Sequence, residues 1–381
     1  MTTLQSNLKL KTIPGLDAVR AVAISLVFLF HFGGLPSAAG ELGVTMFFVL
    51  SGFLISRILL GEYGKTGTIS LRAFYRNRAF RILPTFYACW LLETLALALH
   101  RVHVRWWEAW TSFFFLTDYA RALAGPETIQ NMSIAWSLAI EEQFYLLWPA
   151  VLLWLLVSRH NASRIVTGFI LCVWIYRAVL AVALSVPYGY IYNAFDTRID
   201  ALMIGSLLAL LSWESEDNPM LAFVTRSPWL GALPLAGLAA TFAFDPVLKR
   251  QPWSSMASFT IQPVLIGVLL IQAVCYGGAQ WRVLANPVLR FIAKISYALY
   301  LYHALVLGEG ERITISGGGR FLGFRFLDAN GHPRLLLLAI PAVLLPVASY
   351  YGLERLFLRL RDRKTKKAVE PSEPAVLSAI D

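Results

Sequence analysis

Charge is what this chain has least of. Of its 381 residues, 15% are charged against 57% hydrophobic, and the mean hydropathy is +0.60. A typical soluble domain carries about 25% charged residues, so an ordinary water-soluble fold is excluded. Cysteine is scarce too: Cys89, Cys172 and Cys275 fall one to an apolar stretch. That scatter excludes a disulfide framework and any metal-ligand spacing, and the three read as small buried hydrophobes. The sequence lacks G-x-S-x-G, a Walker loop, G-x-G-x-x-G and H-E-x-x-H. The common serine-hydrolase, nucleotide, dinucleotide and zinc-protease sites therefore have no support. No internal repeat is visible. The net charge of +10 has no aromatic-interleaved basic domain to present it, so no nucleic-acid partner is expected.

What the chain does have is a series of apolar runs. They lie near 14–33, 42–61, 79–99, 137–157, 164–186, 198–212, 229–245, 255–276, 286–308 and 334–353. Most approach the ~20 residues that cross a bilayer, while 198–212 and 229–245 are short. The expected fold is all-α, a polytopic transmembrane bundle of about ten helices with the lipid bilayer as its first partner. Residues 1–12 read as a short cytoplasmic segment, 13–358 as the transmembrane domain and 359–381 as a disordered cytoplasmic tail. Lys and Arg concentrate in 62–81, in 158–164 and in the tail. An even number of crossings puts these on one side, so both termini are expected in the cytoplasm of a cell (inner) membrane. Segment 308–334, with Arg312, Arg320, Arg325 and Arg334, runs against that bias. The long outer loop 100–136 carries Trp106, Trp107 and Trp110 and reads as an amphipathic piece in the interface.

The sharpest chemical signal is R-AVAISLVFLF-H, which sets Arg20 and His31 eleven positions apart. Eleven helical steps advance the face by about 1,100°, roughly 20° past three turns, so both residues share a face about 16 Å apart along the axis. Ionisable groups inside a membrane are costly and usually functional. A neutral imidazole can take a proton from a hydroxyl at neutral pH. Arg76, Arg78 and Arg81, in R-N-R-A-F-R, sit at the mouth of the third span, where guanidinium groups can clamp phosphates. WSLAIEEQFY (136–145) opens the fourth span with Glu141 and Glu142. Adjacent positions point about 100° apart, so one can serve an imidazole while the other pairs with an arginine. DTRID (196–200) supplies Asp196, Arg198 and Asp200, with the two carboxylates four apart on one face. SYALYLYH (296–303) ends in His303, a second proton carrier or a satisfied interior group. Glu93 and Arg177 lie deep in apolar runs and are open to pairing with each other or with the site.

Together these stretches resemble the acyltransferase-3 family of membrane O-acyltransferases. The resemblance rests on Arg20-x10-His31, GVTMFFVLSGFL (43–54), the Arg76/Arg78/Arg81 cluster followed by ILP, WSLAIEEQFY, DTRIDALMIG (196–205), ISYALYLYH (295–303) and YGLER (351–355), in that order. It implies transfer of an acyl group, usually acetyl from acetyl-CoA, to a hydroxyl on a carbohydrate, a lipid-linked sugar or a macrolide-type acceptor. Carried over by position, His31 is the essential histidine and Arg20 its partner, and the arginine cluster serves the CoA end. On that reading acyl-CoA is a co-substrate and no cofactor is held tightly. Glu141 is expected to orient His31, and Ser51 and Tyr145 to donate to the oxyanion. A proton-coupled transporter or flippase would use intramembrane Glu, His and Arg in a similar way and stands as the alternative. A receptor or assembly scaffold would leave those buried groups without a purpose.

Overall fold

The computed structural model describes residues 3–10, 12–33, 35–99, 105–125, 132–158, 160–248, 252–276, 286–316, 320–321, 324–325 and 335–361. In chain order the helices are α1 (Thr3–Leu8), α2 (Pro14–Gly33), α3 (Ser37–Thr66), α4 (Leu71–Leu99), α5 (Trp106–Phe113), α6 (Thr117–Ala124), α7 (Ala135–Val157) and α8 (Ala162–Ala178). They continue with α9 (Tyr188–Asn193), α10 (Phe195–Glu214), α11 (Pro219–Val224), α12 (Ala232–Leu248), α13 (Pro252–Tyr276), α14 (Pro287–Ser316) and α15 (Leu335–Ser349). Helices α8 and α15 each run on into a π-helical turn, Val179–Ala183 and Tyr350–Glu354. The strands described are a two-residue antiparallel pair, Arg320–Phe321 with Phe324–Arg325.

Six of the described helices are long and apolar enough to cross a membrane: Pro14–Phe32, Ser37–Thr66, Leu71–Leu99, Ala135–Val157, Ala162–Ala183 and Ser258–Tyr276. The other four expected runs are helical as well, in α10, α12, α14 and α15. Helix α10 carries Asp196, Arg198, Asp200 and Glu214 within its span, and so falls outside the apolar class. About ten crossings is therefore not established by length and composition. The segment 62–81, expected as a basic loop, is helix except for residues 67–70. Gly67, at φ 72°, closes α3 by donating its N–H to Tyr63 O, and α4 begins four residues later. Arg72, Arg76, Arg78 and Arg81 thus stand on helix faces, where spacing decides which of them converge. The arginines of the last tail stretch and Arg334 lie outside the described residues, apart from Arg355, Arg359 and Arg361.

The bundle is held where backbones touch. Helices α3 and α10 meet at Gly52 and Gly205. A Cβ on Gly52 would lie 1.9 Å from Leu202 O, and one on Gly205 would lie 2.0 Å from Val49 O. Only hydrogen allows that approach, and the Ser206 hydroxyl uses it to reach Gly52 O at 3.3 Å. Phe48, Val49, Leu50 and Phe53 of α3 and Leu202 and Leu210 of α10 are buried around this contact. A further tie runs from Trp148 Nε1 on α7 to Ser56 Oγ on α3 at 2.8 Å. Cys89 and Cys275 are buried as expected, while Cys172 is exposed on α8. The stretch 100–136, expected as an outer loop, contains α5, whose Trp106, Trp107 and Trp110 are exposed while Glu108, Ala109 and Ser112 are buried. Arg105 neutralises Glu108 across 2.6 Å, and Trp90 Nε1 binds Ser112 Oγ at 3.0 Å. Helix α5 thus turns its tryptophans outward and packs Glu108, Ala109 and Ser112 into the fold.

Asp118 of α6 is fully buried and accepts from Gln143 Nε2 at 3.0 Å. Burial pushes its carboxyl up to about 7, so the folded chain holds a proton that the unfolded chain releases from its ordinary value of 3.8. The neutral form stabilises the fold at low pH, and that contribution is lost as pH rises from about 4 to about 7. Asp118→Asn is therefore expected to raise the melting temperature in detergent near pH 8 and to change it little near pH 4. The glycine contact makes a second prediction. Gly52→Ala or Gly205→Ala forces a methyl group into a facing carbonyl, and each should lower the melting temperature and the yield of monodisperse protein in detergent.

Candidate functional site

One cavity of about 640 Å³ is walled by α2, α3, α4, α7 and α14, a volume typical of small-molecule sites. Its lining follows helical periodicity on each wall. Helix α4 presents Ala73, Phe74, Asn77, Arg78, Arg81 and Ile82, and α7 presents Ser137, Leu138, Glu141 and Tyr145. Helix α14 presents Ser296, Tyr297 and Tyr300, while α3 contributes Phe47, Phe48 and Ser51 among others. Arg20 enters from α2. Six of the residues singled out in the sequence therefore share one chamber: Arg20, Ser51, Arg78, Arg81, Glu141 and Tyr145. Arg57 and Arg361 join them at the wall, as sequence spacing gave no reason to expect. Two residues from Arg78 is about 200° around a helix, which turns Arg76 off the lining face. The 100° step likewise takes Glu142 off the lining, and its Oε1 is buried with no hydrogen-bond partner.

Within the chamber the polar groups are already joined. Tyr145 donates to Glu141 Oε2 at 2.9 Å, and Ser51 lines the same chamber. The Arg78 guanidinium lies 4.6 Å from the centroid of the Tyr145 ring. Glu141, expected beside His31, is thus bonded to Tyr145. Arg20 makes a 3.8 Å ion pair with Asp17 at the rim.

His31 is not among the lining residues. It is half-buried at the far end of α2, and its Nδ1 meets Val27 O at 2.9 Å. A carbonyl only accepts, so Nδ1 carries the hydrogen and, in the neutral ring, Nε2 keeps the lone pair. His31 packs edge-on against His303 of α14, with ring centroids 4.8 Å apart. One turn earlier on α14, Tyr300 lines the cavity, with its ring 5.8 Å from that of His303. The Tyr300 hydroxyl donates to Ile134 O at 3.1 Å and receives Ser137 Oγ at 2.5 Å. A continuous row of groups therefore runs from the arginine-lined chamber through Tyr300 and His303 to His31.

The DTRID stretch folds apart from this chamber. Asp196 accepts from the hydroxyls of Tyr119, Tyr176 and Tyr190 at 3.2, 2.7 and 3.2 Å. Asp200 is buried in a bidentate pair with Arg177 at 3.1 and 2.8 Å, and Trp174 Nε1 adds a third bond at 2.9 Å. The two carboxylates, expected on one face, thus serve separate clusters. Arg177 pairs with Asp200, while Glu93 accepts the Met132 N–H at 3.0 Å. Arg198 is buried against the Phe259, Tyr192 and Phe48 rings, 4.1, 5.5 and 5.8 Å from their centroids, and donates to Thr45 Oγ1 at 3.0 Å. Phe48 is the layer between Arg198 and the chamber.

The profile of a family described as an acyltransferase domain matches residues 13–351. A Staphylococcus aureus (strain COL) protein provisionally named an O-acetyltransferase is 30% identical over 327 residues, covering 81% of this chain and 53% of that protein. A Bacillus subtilis (strain 168) protein provisionally named a peptidoglycan O-acetyltransferase, YrhL, is 30% identical over 77% of this chain and 48% of its own length. The Listeria monocytogenes peptidoglycan O-acetyltransferase OatA is 28% identical over 77% of this chain and 49% of its own. The chain spans about half the length of these curated relatives. No solved structure matches it.

The Arg177–Asp200 pair lends itself to a direct test. Arg177→Leu strands a buried carboxylate and should cost about 3–5 kcal/mol, whereas Arg177→Leu with Asp200→Leu should recover most of that loss. Thermal unfolding in detergent measures both.

Proposed function

Because the chain belongs to the acyltransferase-3 family, we propose that it is a membrane-embedded O-acyltransferase moving an acyl group, acetyl in the first instance, from acyl-CoA to a hydroxyl of a carbohydrate-type acceptor. The observation that carries this reading is the chamber itself: Arg20, Arg78 and Arg81 converge on one cavity whose wall residue Tyr300 packs against His303, which in turn packs against His31. Arg78 and Arg81 suit the phosphates of an acyl-CoA entering from the cytoplasmic side, since guanidinium forks match phosphate oxygens. The narrow pantetheine arm then extends along Tyr297 and Tyr300. Its thioester is delivered towards His31, and the acceptor hydroxyl arrives from the opposite side of the membrane.

The chemistry follows from the tautomer. With Nδ1–H held by Val27 O, His31 Nε2 is the free base. It takes the proton of the acceptor hydroxyl as the oxygen attacks the thioester carbon. The C–S bond breaks, the electron pair stays on sulfur, and the thiolate leaves as CoA after taking that proton from His31, which returns to its neutral form. The Tyr145 hydroxyl engages the Glu141 carboxylate at the chamber wall, so it competes less with the phosphates for the arginines. A carbohydrate acceptor is supported by the name of the Listeria relative, which acts on peptidoglycan.

The test is transfer of radiolabel from acetyl-CoA in purified membranes, with mass spectrometry of whichever glycan, lipid or small molecule gains the mass. His31→Ala at equal membrane abundance should lose about 100-fold or more of the transfer. Arg78→Ala should raise KM for acetyl-CoA more than it lowers kcat. Full transfer by His31→Ala contradicts the proposal. Movement of a solute by proteoliposomes without acyl-CoA would favour a proton-coupled transporter.

A further inference from the structure

Arg57 is a cation of the chamber wall that the reaction above does not use. It stands half-buried on α3 and donates from Nη2 to Leu8 O at 2.6 Å and to Leu10 O at 2.9 Å. Both carbonyls belong to the segment that ends α1, so the guanidinium is pinned to backbone through one nitrogen. Its other N–H groups are on Nε and Nη1. Among the described residues Arg57 forms no ion pair. A fixed arginine without a carboxylate, on the wall of a cavity, is placed to receive an anion from outside the chain.

Its level in the chamber can be read against α7. Helices α3 and α7 run parallel: Trp148 Nε1 donates to Ser56 Oγ at 2.8 Å, and the Tyr63 hydroxyl donates to Leu156 O at 3.5 Å. Helix α4 runs antiparallel to α7: the Tyr75 hydroxyl donates to Leu146 O at 2.7 Å, and Glu93 accepts from the Met132 N–H just before α7 begins. Arg57 is one residue past Ser56, and so is level with the residue past Trp148 on α7. Arg78 is three residues past Tyr75, and so is level with the third residue before Leu146. Tyr300 is level with Ser137, whose Oγ meets its hydroxyl. Each interval, Tyr300 to Arg78 and Arg78 to Arg57, is then about 9 Å along the bundle at 1.5 Å per residue. Arg57 lies at the end nearest the α3–α4 link. An acyl-CoA carries its groups in the same order. The thioester comes first, then the pantetheine arm and the diphosphate, and last the ribose with a phosphomonoester on its 3′ oxygen.

We infer that Arg57 binds the 3′-phosphate of the donor and so selects acyl-CoA over thioesters that lack that group. The inference rests on the acyl-transfer reading above. Arg78 and Arg81 face the diphosphate, which a 3′-dephospho donor also carries, and they cannot tell the two apart. A phosphomonoester is mostly dianionic at neutral pH and takes N–H groups from Arg57 Nε and Nη1. No bond to it forms or breaks during transfer, so Arg57 sets specificity and takes no part in the chemical step.

The experiment measures transfer in phosphatidylcholine nanodiscs from acetyl-CoA and from acetyl-3′-dephospho-CoA, for wild type, Arg57→Gln and Arg78→Ala. Wild type should show a KM about 10- to 100-fold higher for the dephospho donor at similar kcat. Arg57→Gln should raise KM for acetyl-CoA by that factor and leave KM for the dephospho donor within about twofold, so that the preference disappears. Arg78→Ala should weaken both donors alike. If Arg57→Gln does not accumulate, Arg57→Lys is read instead: one ammonium cannot hold two carbonyls and a dianion together, so the preference should fall about tenfold. Wild type that uses both donors equally well overturns the inference and leaves the acyl-transfer reading standing. So does an Arg57 variant that keeps the preference, as it would if Arg361 held the phosphate, or a defect seen only with anionic lipid, which would assign Arg57 to a headgroup. Wild type that transfers from neither donor overturns both.

Discussion

A cation inside an apolar bundle must be paired, caged or given water, and this chain solves that constraint in three ways. Arg177 is paired with Asp200 in full burial. Arg198 is caged by three aromatic rings and a threonine hydroxyl. Arg20, Arg78 and Arg81 are gathered around a cavity whose only lining carboxylates among the described residues are Glu62 and Glu141. The first two solutions use up the cation. The third leaves guanidinium groups facing space, and that separates the arginines with a structural role from those able to receive an anionic substrate.

The same separation explains what the sequence showed and what it hid. The ends of α2 coincide with the first apolar run, because Pro14 opens it and Gly33 closes it. The gathering of Arg78, Arg81, Glu141 and Tyr145 was legible because each pair repeats at three or four residues on its own helix, and each helix turns one face inward. Arg76 is two positions from Arg78 and could have been set aside by that rule, had 71–81 been read as helix. Basic residues and a short glycine-containing link made the stretch look like a loop. Asp196 and Asp200 share a helix face, yet Asp196 stands in the first turn of α10, where three tyrosines from neighbouring helices reach it, and Asp200 lies one turn deeper beside Arg177. The contact between His31 and His303 was not legible at all. It depends on how α2 and α14 pack, and 271 residues separate the two rings in the chain.

The glycines in GVTMFFVLSGFL (43–54) and DTRIDALMIG (196–205) carry a different load from the chemistry. Gly52 and Gly205 let α3 and α10 touch backbone to backbone. That contact holds Phe48 and Ser51 at the chamber wall and Arg198 behind Phe48. Packing and site are therefore one construction: a methyl group at the helix crossing would shift the face of α3 that carries Ser51. The row from Arg78 through Tyr300 to His303 and His31 is drawn from α4, α14 and α2, so it depends on how those three helices pack.

The most direct test of the central claim is a structure with a non-hydrolysable acetyl-CoA analogue bound in lipid nanodiscs. The account predicts phosphate density against Arg78 and Arg81, a pantetheine arm alongside Tyr297 and Tyr300, and the acyl carbon within reach of His31 Nε2. An analogue seated away from those arginines, or an acyl end that stops short of His31 behind a closed wall of aliphatic side chains, would contradict it.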